Sequence, residues 1–317
     1  MGARTCGAVL AIVALLSGTG PGEAQDSLKI AVPQRGAWDT GVAEVGQRGG
    51  IFKRRGLVLE LLYTQGGPES IQAVISGSMD MAVGVGVSAA LATYAKGAPI
   101  RVIGSEMIGS PDLYWYVRPD SPIKTVQDFT DKTVGFSQNG TSSHAGLLEL
   151  LQQFNIKAKP TAVGGMSATL PQLMSGQIDI GWAAAPFGLD LVEDGKIRIV
   201  ARGSDIVALR GRSARVNVAG LPAIARADVM HRFMHAYLET VAWMYADPAA
   251  LRHYAEYSGL PDTIVRKVRD FIPKETMAPG QVAGLDQLMA DAVRLKFIPA
   301  TLTDAQVKEL VQIPATQ

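Results

Sequence analysis

Residues able to make or break covalent bonds are scarce in this chain, whereas residues able to hold a ligand are well placed. The four histidines are His144, His231, His235 and His253. His231 and His235 have the spacing that puts two imidazoles on one helix face, where they could grip a metal. No third ligand accompanies them, so the pair reads as helix surface and no metal is expected. Cys6 is the single cysteine, and it falls in a leading segment expected to be removed. That leaves no thiol nucleophile, disulfide or thiolate metal site. The Gly-x-Ser-x-Gly, His-Glu-x-x-His and P-loop lysine patterns are all missing. One nucleotide-like phrase does occur. Gly84-Val85-Gly86-Val87-Ser88-Ala89 fits Gly-x-Gly-x-x-Ala between a strand and a helix, with Glu106 about 20 residues on. It occupies the third strand turn instead of the first, and no paired acid and base accompanies it. Its glycines read as letting the backbone approach a ligand closely, with no cofactor expected.

What remains is recognition chemistry. Arg35 and Arg215 each carry a guanidinium that can take a carboxylate or sulfonate through two bonds. Trp38 and Trp182 lie in loops that look equivalent and could close on an organic ligand from two sides. Ser88, Ser142, Ser143 and Ser167 are placed either to cap helices or to turn their hydroxyls to a ligand. His144, in the first turn of a helix, reads as structural or solvated. Six loops at strand ends carry the candidate contacts. These are Gln34, Arg35 and Trp38 in the first; Gly66 and Gly67 in the second; Gly86, Val87 and Ser88 in the third. Asn139, Thr141, Ser142 and Ser143 fall in the fourth, Gly165 and Met166 in the fifth, Trp182 and Ala183 in the sixth. Arg215 stands apart, at an expected return crossing between lobes. Open α/β sheets bind ligands outside the carboxyl ends of their strands. Several of these loops run straight into a helix, whose unpaired N–H groups and dipole favour an anion.

The elements that position these loops are announced by an internal repeat. Gln72-Ala73-Val74-Ile75-Ser76-Gly77-Ser78-Met79-Asp80-Met81 is echoed by Gln172-Leu173-Met174-Ser175-Gly176-Gln177-Ile178-Asp179-Ile180. Each copy reads as a helix end, a Ser-Gly cap and a buried strand entered through Asp. Each is preceded by a double glycine, Gly66-Gly67 or Gly164-Gly165, and further back by a strand running into a polar loop. Strands alternating with helices predict parallel sheets covered by helices on both faces. The fold class is therefore α/β, with two doubly wound lobes. Leu113 to Val117 is a continuous apolar strand suited to the first crossing, and Val216 to Ala225 could carry the chain back. The expected division is lobe one over 27–112 and 216–317, and lobe two over 113–215. Helices are predicted over Ala227 to Ala246, after Asp247-Pro248, and after the capping box Thr303-Asp304-Ala305-Gln306.

The start of the chain indicates export. Arg4 gives a short basic region, Ala8 to Leu16 an apolar run, and Gly22-Glu23-Ala24 a small-residue site, the layout of a cleavable signal over 1–24. A lipoprotein cysteine would close the apolar run, whereas Cys6 precedes it. The formal net charge of +1 offers no broad basic field for nucleic acid.

Taken as an ordered set, several phrases resemble the nitrate/sulfonate/taurine-type periplasmic solute-binding proteins. They are Ile30 to Trp38, Gly50-Ile51-Phe52-Lys53-Arg54-Arg55-Gly56-Leu57, Gln65-Gly66-Gly67-Pro68, Ala73 to Asp80, and Lys124 to Lys132 leading into Val134-Gly135-Phe136. The resemblance implies a type II periplasmic-binding fold with a two-stranded hinge and a ligand cleft between the lobes. It implies a monomeric, non-enzymatic receptor that passes a small anion to the permease and ATPase of an ABC importer. The family also holds binders of thiamine pyrimidine precursors, which are not anions, and a sensor role is the other non-enzyme reading. Enzymes sharing this fold through cysteine chemistry are not matched by the cysteine-free remainder of the chain.

Overall fold

The computed structural model describes residues 2, 25–277 and 279–315. The signal expected over 1–24 lies outside the described residues, residue 2 apart. The first run of elements is β1 (Asp26–Pro33), α1 (Val42–Arg48), α2 (Ile51–Arg54), β2 (Leu57–Thr64), α3 (Gly67–Ile75), β3 (Met81–Gly86), α4 (Val87–Ala95) and β4 (Ile100–Ile108). The chain crosses to β5 (Leu113–Val117) and continues through β6 (Thr133–Phe136), α5 (Ser142–Gln153), β7 (Lys159–Ala162), α6 (Met166–Met174), β8 (Gly181–Ala184), α7 (Leu189–Glu193) and β9 (Arg198–Arg202). It returns through β10 (Ser213–Gly220), α8 (Leu221–Ile224) and α9 (Ala227–Ala246). The described chain ends in α10 (Pro248–Ser258), α11 (Asp262–Phe271), α12 (Leu285–Arg294) and α13 (Asp304–Leu310).

The first sheet has the order β2-β1-β3-β10-β4. In it β1 runs parallel to β2 and β3, and β10 is antiparallel to both its neighbours. In the second group β6 pairs parallel with β7, β5 lies antiparallel between β8 and β9, and the bridge Val134–Ile180 joins the two ribbons. The order is then β7-β6-β8-β5-β9, matching the first sheet strand for strand. Both sheets are mixed, which corrects the expectation of parallel ones. A strand that follows an inter-lobe crossing is not tied to its neighbour by a helical crossover, so nothing forces it parallel. The return strand also ends earlier than expected, at Gly220, because Pro222 lacks a ladder N–H and instead sits in the first turn of α8. It also begins earlier, at Ser213 instead of Val216, so Arg215 lies inside the strand.

The repeated phrase has a common hydrogen-bond logic. Gly77 and Gly176 take φ of +75° and +76° as the chain leaves α3 and α6, the left-handed conformation that closes a helix. The following Asp then pins the next strand to its neighbour. Asp80 Oδ2 accepts from the Lys29 N–H at 2.8 Å, and the Asp80 N–H donates to Lys29 O at 2.8 Å. In the second copy Asp179 Oδ2 accepts from the Thr133 N–H at 2.8 Å, and the Asp179 N–H donates to Thr133 O at 3.2 Å.

Strand alternation decides the two faces of the first sheet. Leu28, Ile30 and Val32 join Phe52, Phe233 and Tyr237 in a core under α1, α2 and α9. Ala31, Ala82, Val85, Val216 and Val218 face the other way, under α3, α4, α12 and α13. The predicted caps form: Asp247 Oδ1 accepts from the Ala249 N–H, and Thr303 and Gln306 make a reciprocal box. Among the described residues no helix is long and apolar enough to cross a membrane.

Candidate functional site

A cavity of about 460 Å³, part of it open to solvent, lies between the two sheets. Its walls come from both sides. Gln34, Gly66, Gly67 and Gly86 follow the carboxyl ends of β1, β2 and β3, and Thr141, Ser142, Met166 and Trp182 answer from the second sheet's side. Four helices, α3, α4, α5 and α6, begin at this cavity. Three of them, α3, α4 and α6, start after a glycine and have no side-chain cap. Their first N–H groups carry no side-chain cap from the helix itself, that of α6 being met instead by Gln34 Oε1, and the helix dipoles add positive potential. On α5, Thr141 Oγ1 accepts from the His144 N–H. Ser137, Thr141 and Ser143 share a buried hydroxyl network with contacts of 2.9–3.0 Å. Glycine is required at the closest approach. A Cβ on Gly86 would stand 2.9 Å from Ser142 N and 3.0 Å from Gly140 O.

The two sides touch through polar contacts as well. Gln34 Oε1 accepts from the Met166 N–H at 3.3 Å, and Arg215 Nε donates to Ser142 Oγ at 3.1 Å. These two contacts span the cavity from one side to the other.

Arg215 dominates the floor. Its Nη1 donates to Asp39 Oδ2 and its Nη2 to Asp112 Oδ2, each at 2.8 Å. The arginine is 6 % exposed, Asp39 2 % and Asp112 1 %. Burial works against the Arg215 charge, but the carboxylates of Asp112, Asp39 and Glu106 outweigh it and hold the guanidinium protonated. Glu106 is fully buried, and its carboxyl is pushed well above the usual range by that burial and then by Asp39. Burial also raises Asp112, with Arg215 opposing. Asn217 Oδ1 accepts from the Gly84 N–H at 3.0 Å, fixing the backbone turn of β3 over this cluster.

Of the residues singled out from sequence, the cavity is lined by Gln34, Gly66, Gly67, Gly86, Thr141, Ser142, Ser143, Met166, Trp182 and Arg215. The others lie elsewhere. Trp38 is fully buried; its Nε1 donates to Tyr245 Oη at 3.0 Å and its ring meets Tyr254 edge-on. Its place in the core corrects the reading of two tryptophans closing on a ligand. Arg35 is exposed and lies over the Tyr63 ring, 5.1 Å from its centroid, outside this cavity. Arg215 is present but already engaged by two carboxylates, so its guanidinium is not a free grip for an anion. Val87 packs behind the sheet with Leu91 and Val216, and Ser88 is half-buried in the first turn of α4. Asn139 is exposed. Gly165 caps α6 beside Gln34 and Gln65 without lining the cavity. Ala183 alternates with Trp182 and Ala184 along β8 and so faces away from them. The sequence reading missed Asp39 and Asp112. Both are carboxylates beside singled-out features, Asp39 next to Trp38 and Asp112 before the apolar strand, and that adjacency was the available signal. Among the described residues no cluster of three or more metal-binding side chains forms.

Comparison with known proteins places this geometry. A family model described as "NMT1/THI5 like" matches residues 42–251. A putative aliphatic sulfonates-binding protein of Escherichia coli K12 is 28% identical over 236 residues, covering 71% of this chain and 70% of its own. Among solved structures, the alkanesulfonate-binding protein of Xanthomonas axonopodis pv. citri bound to MOPS superposes with TM-score 0.77 at 20% identity, covering 92% of this chain and 99% of its own. The periplasmic nitrate-binding protein of Synechocystis gives 0.71 at 11% identity, covering 91% of this chain and 86% of its own. The likeness to these structures shows a shared periplasmic-binding fold.

Proposed function

The chain belongs to the NMT1/THI5-like family, and on that premise we propose that it is an exported receptor delivering a small organic anion to an ABC importer. The observation that carries this reading is the convergence of four helix N-termini, three without side-chain caps, on one cavity between two sheets. Such an array supplies oriented N–H donors and positive dipole ends to an acceptor such as a sulfonate or carboxylate. The similar proteins, a putative aliphatic sulfonates-binding protein, an alkanesulfonate-binding protein and a nitrate-binding protein, support the same ligand class.

The lobes, 27–112 with the C-terminal portion and 113 to about 212, would swing about the crossings near Gly109–Asp112 and Gly203–Arg212. Ligand favours the closed form only by binding it more tightly than the open one. The closed receptor then docks on a permease whose ATPase drives import. We place the protein in the periplasm, acting as a monomer and without catalysis. Thermal-shift measurement against sulfonates, carboxylates and nitrate tests the ligand class: stabilisation by at least one is expected, and a flat response to all of them removes it. Chemical turnover of a bound solute would remove the receptor reading itself.

A further inference from the structure

The cavity floor holds more acid than base. Asp39, Glu106 and Asp112 surround Arg215, and all four are more than nine-tenths buried. Neither oxygen of Glu106 has a hydrogen-bond partner among the described residues, a setting that favours its neutral form. Asp39 then balances Arg215, and Asp112 is left as one carboxylate too many in a site proposed for an anion. Oδ2 of Asp112 accepts from Arg215 Nη2 at 2.8 Å. Its other oxygen, Oδ1, is buried without a partner among the described residues, on a side chain that lines the cavity. Elsewhere the lining offers donors. Trp182 Nε1 is buried and unmatched among the described residues, and α3 and α4 open without side-chain caps. Each of these suits an anion, whereas an ionised Asp112 turns lone pairs and like charge towards it. A proton on Oδ1 reverses both effects. Oδ2 still accepts from Arg215, Oδ1 becomes a donor, and the floor becomes neutral. The groups facing Asp112 and Glu106 from the surrounding elements are Arg215 on β10, Asp39 before α1 and Tyr237 on α9. Burial raises the Asp112 carboxyl, Arg215 opposes the rise and Asp39 adds to it.

We infer that an anion enters this cavity together with a proton, which Asp112 Oδ1 takes from solvent and donates as a hydrogen bond to the anion. The inference rests on the proposed anion-receptor function and adds the proton as a second occupant of the site. No covalent bond of the ligand changes. Loading therefore strengthens as the surroundings acidify.

Calorimetric titration of the purified protein between about pH 6 and 9 tests this, above the range in which His144 titrates. The probes are propanesulfonate, nitrate and butyrate, all of them anions throughout that range. Affinity is expected to fall about tenfold per pH unit once Asp112 of the free protein is ionised. Each anion bound should take up close to one proton, read from the heats in two buffers of different ionisation enthalpy. Asp112→Asn supplies an amide donor that needs no proton. It should remove both the slope and the uptake, and so bind more tightly than the unaltered protein as pH rises. An undiminished slope in that variant would place the proton elsewhere and overturn the inference. The unaltered protein decides the matter even if the variant folds poorly. Affinity independent of pH, without proton uptake, would overturn the inference and leave the receptor function standing. If none of the three anions binds at any pH, the proposed anion-receptor function falls, and this inference with it.

Discussion

Arg215 and the carboxylates around it set the electrostatics of the cleft residue by residue. Removing the guanidinium alone strands Asp39 and Asp112 in a site where neither is more than 2 % exposed. Arg215→Met should therefore cost about 3–5 kcal/mol in urea unfolding. Adding Asp39→Asn and Asp112→Asn to that variant should recover part of the loss, because the penalty belongs to the unpaired charges. His144 provides a pH signature. Its ring stacks on Phe136 with centroids 4.2 Å apart, and burial pushes its pKa from 6.5 down to about 4. The folded form thus resists a proton that the unfolded chain accepts. Stability from this residue is complete above about pH 6.5 and falls away as pH drops towards 4. Because the ring is partly exposed, the loss amounts to roughly 1–2 kcal/mol. His144→Gln should flatten that part of the stability–pH curve, and an unchanged curve would show that the ring titrates normally.

At the scale of elements, the repeated Ser-Gly-x-x-Asp turn joins a helix to a strand and the strand to its neighbour in one stroke. The glycine ends the helix, and the Asp carboxylate takes the N–H of Lys29 in β1 or of Thr133 in β6. Asp80→Ala and Asp179→Ala should each lower stability by about 1 kcal/mol in denaturant titration, and Asn in their place should restore part of it. The same local chemistry explains why this feature was legible in the sequence. Turn type, capping residue and apolar strand all lie within about ten residues, and each is dictated by backbone conformation and hydrogen bonding close by. The mixed character of the sheets was not legible, since a strand's direction depends on how the chain re-enters a sheet after a crossing.

The whole molecule depends on two surfaces that meet around a small ligand, and Gly86 marks where they come closest. Its φ of −60° suits alanine, so the backbone tolerates the change. The added Cβ would meet backbone atoms of Gly140, Thr141 and Ser142 at 2.9–3.1 Å. Gly86→Ala should act as a wedge between the lobes. Overpacking of this size costs about 1–3 kcal/mol, which weakens ligand binding roughly 5- to 100-fold while leaving the melting temperature without ligand almost unchanged. Small-angle scattering should show the unaltered protein contracting with ligand and the variant contracting less; equal contraction and affinity would mean that the lobes do not close on this contact.

The sequence by itself determined the two α/β units, the strand-end loops and the glycines that let backbone come close. Each of these follows from periodicity and turn chemistry among near neighbours. Only the tertiary structure decided which side chains from those loops face the cavity. Trp38, read as a ligand contact, is held in the core by Tyr245 and Tyr254, which come from helices far along the chain. Arg215, read as an anion grip, is met by Asp39 and Asp112, 176 and 103 residues away. Charge in a buried site is a sum over residues that only folding brings together, so no local pattern in the sequence announces its sign.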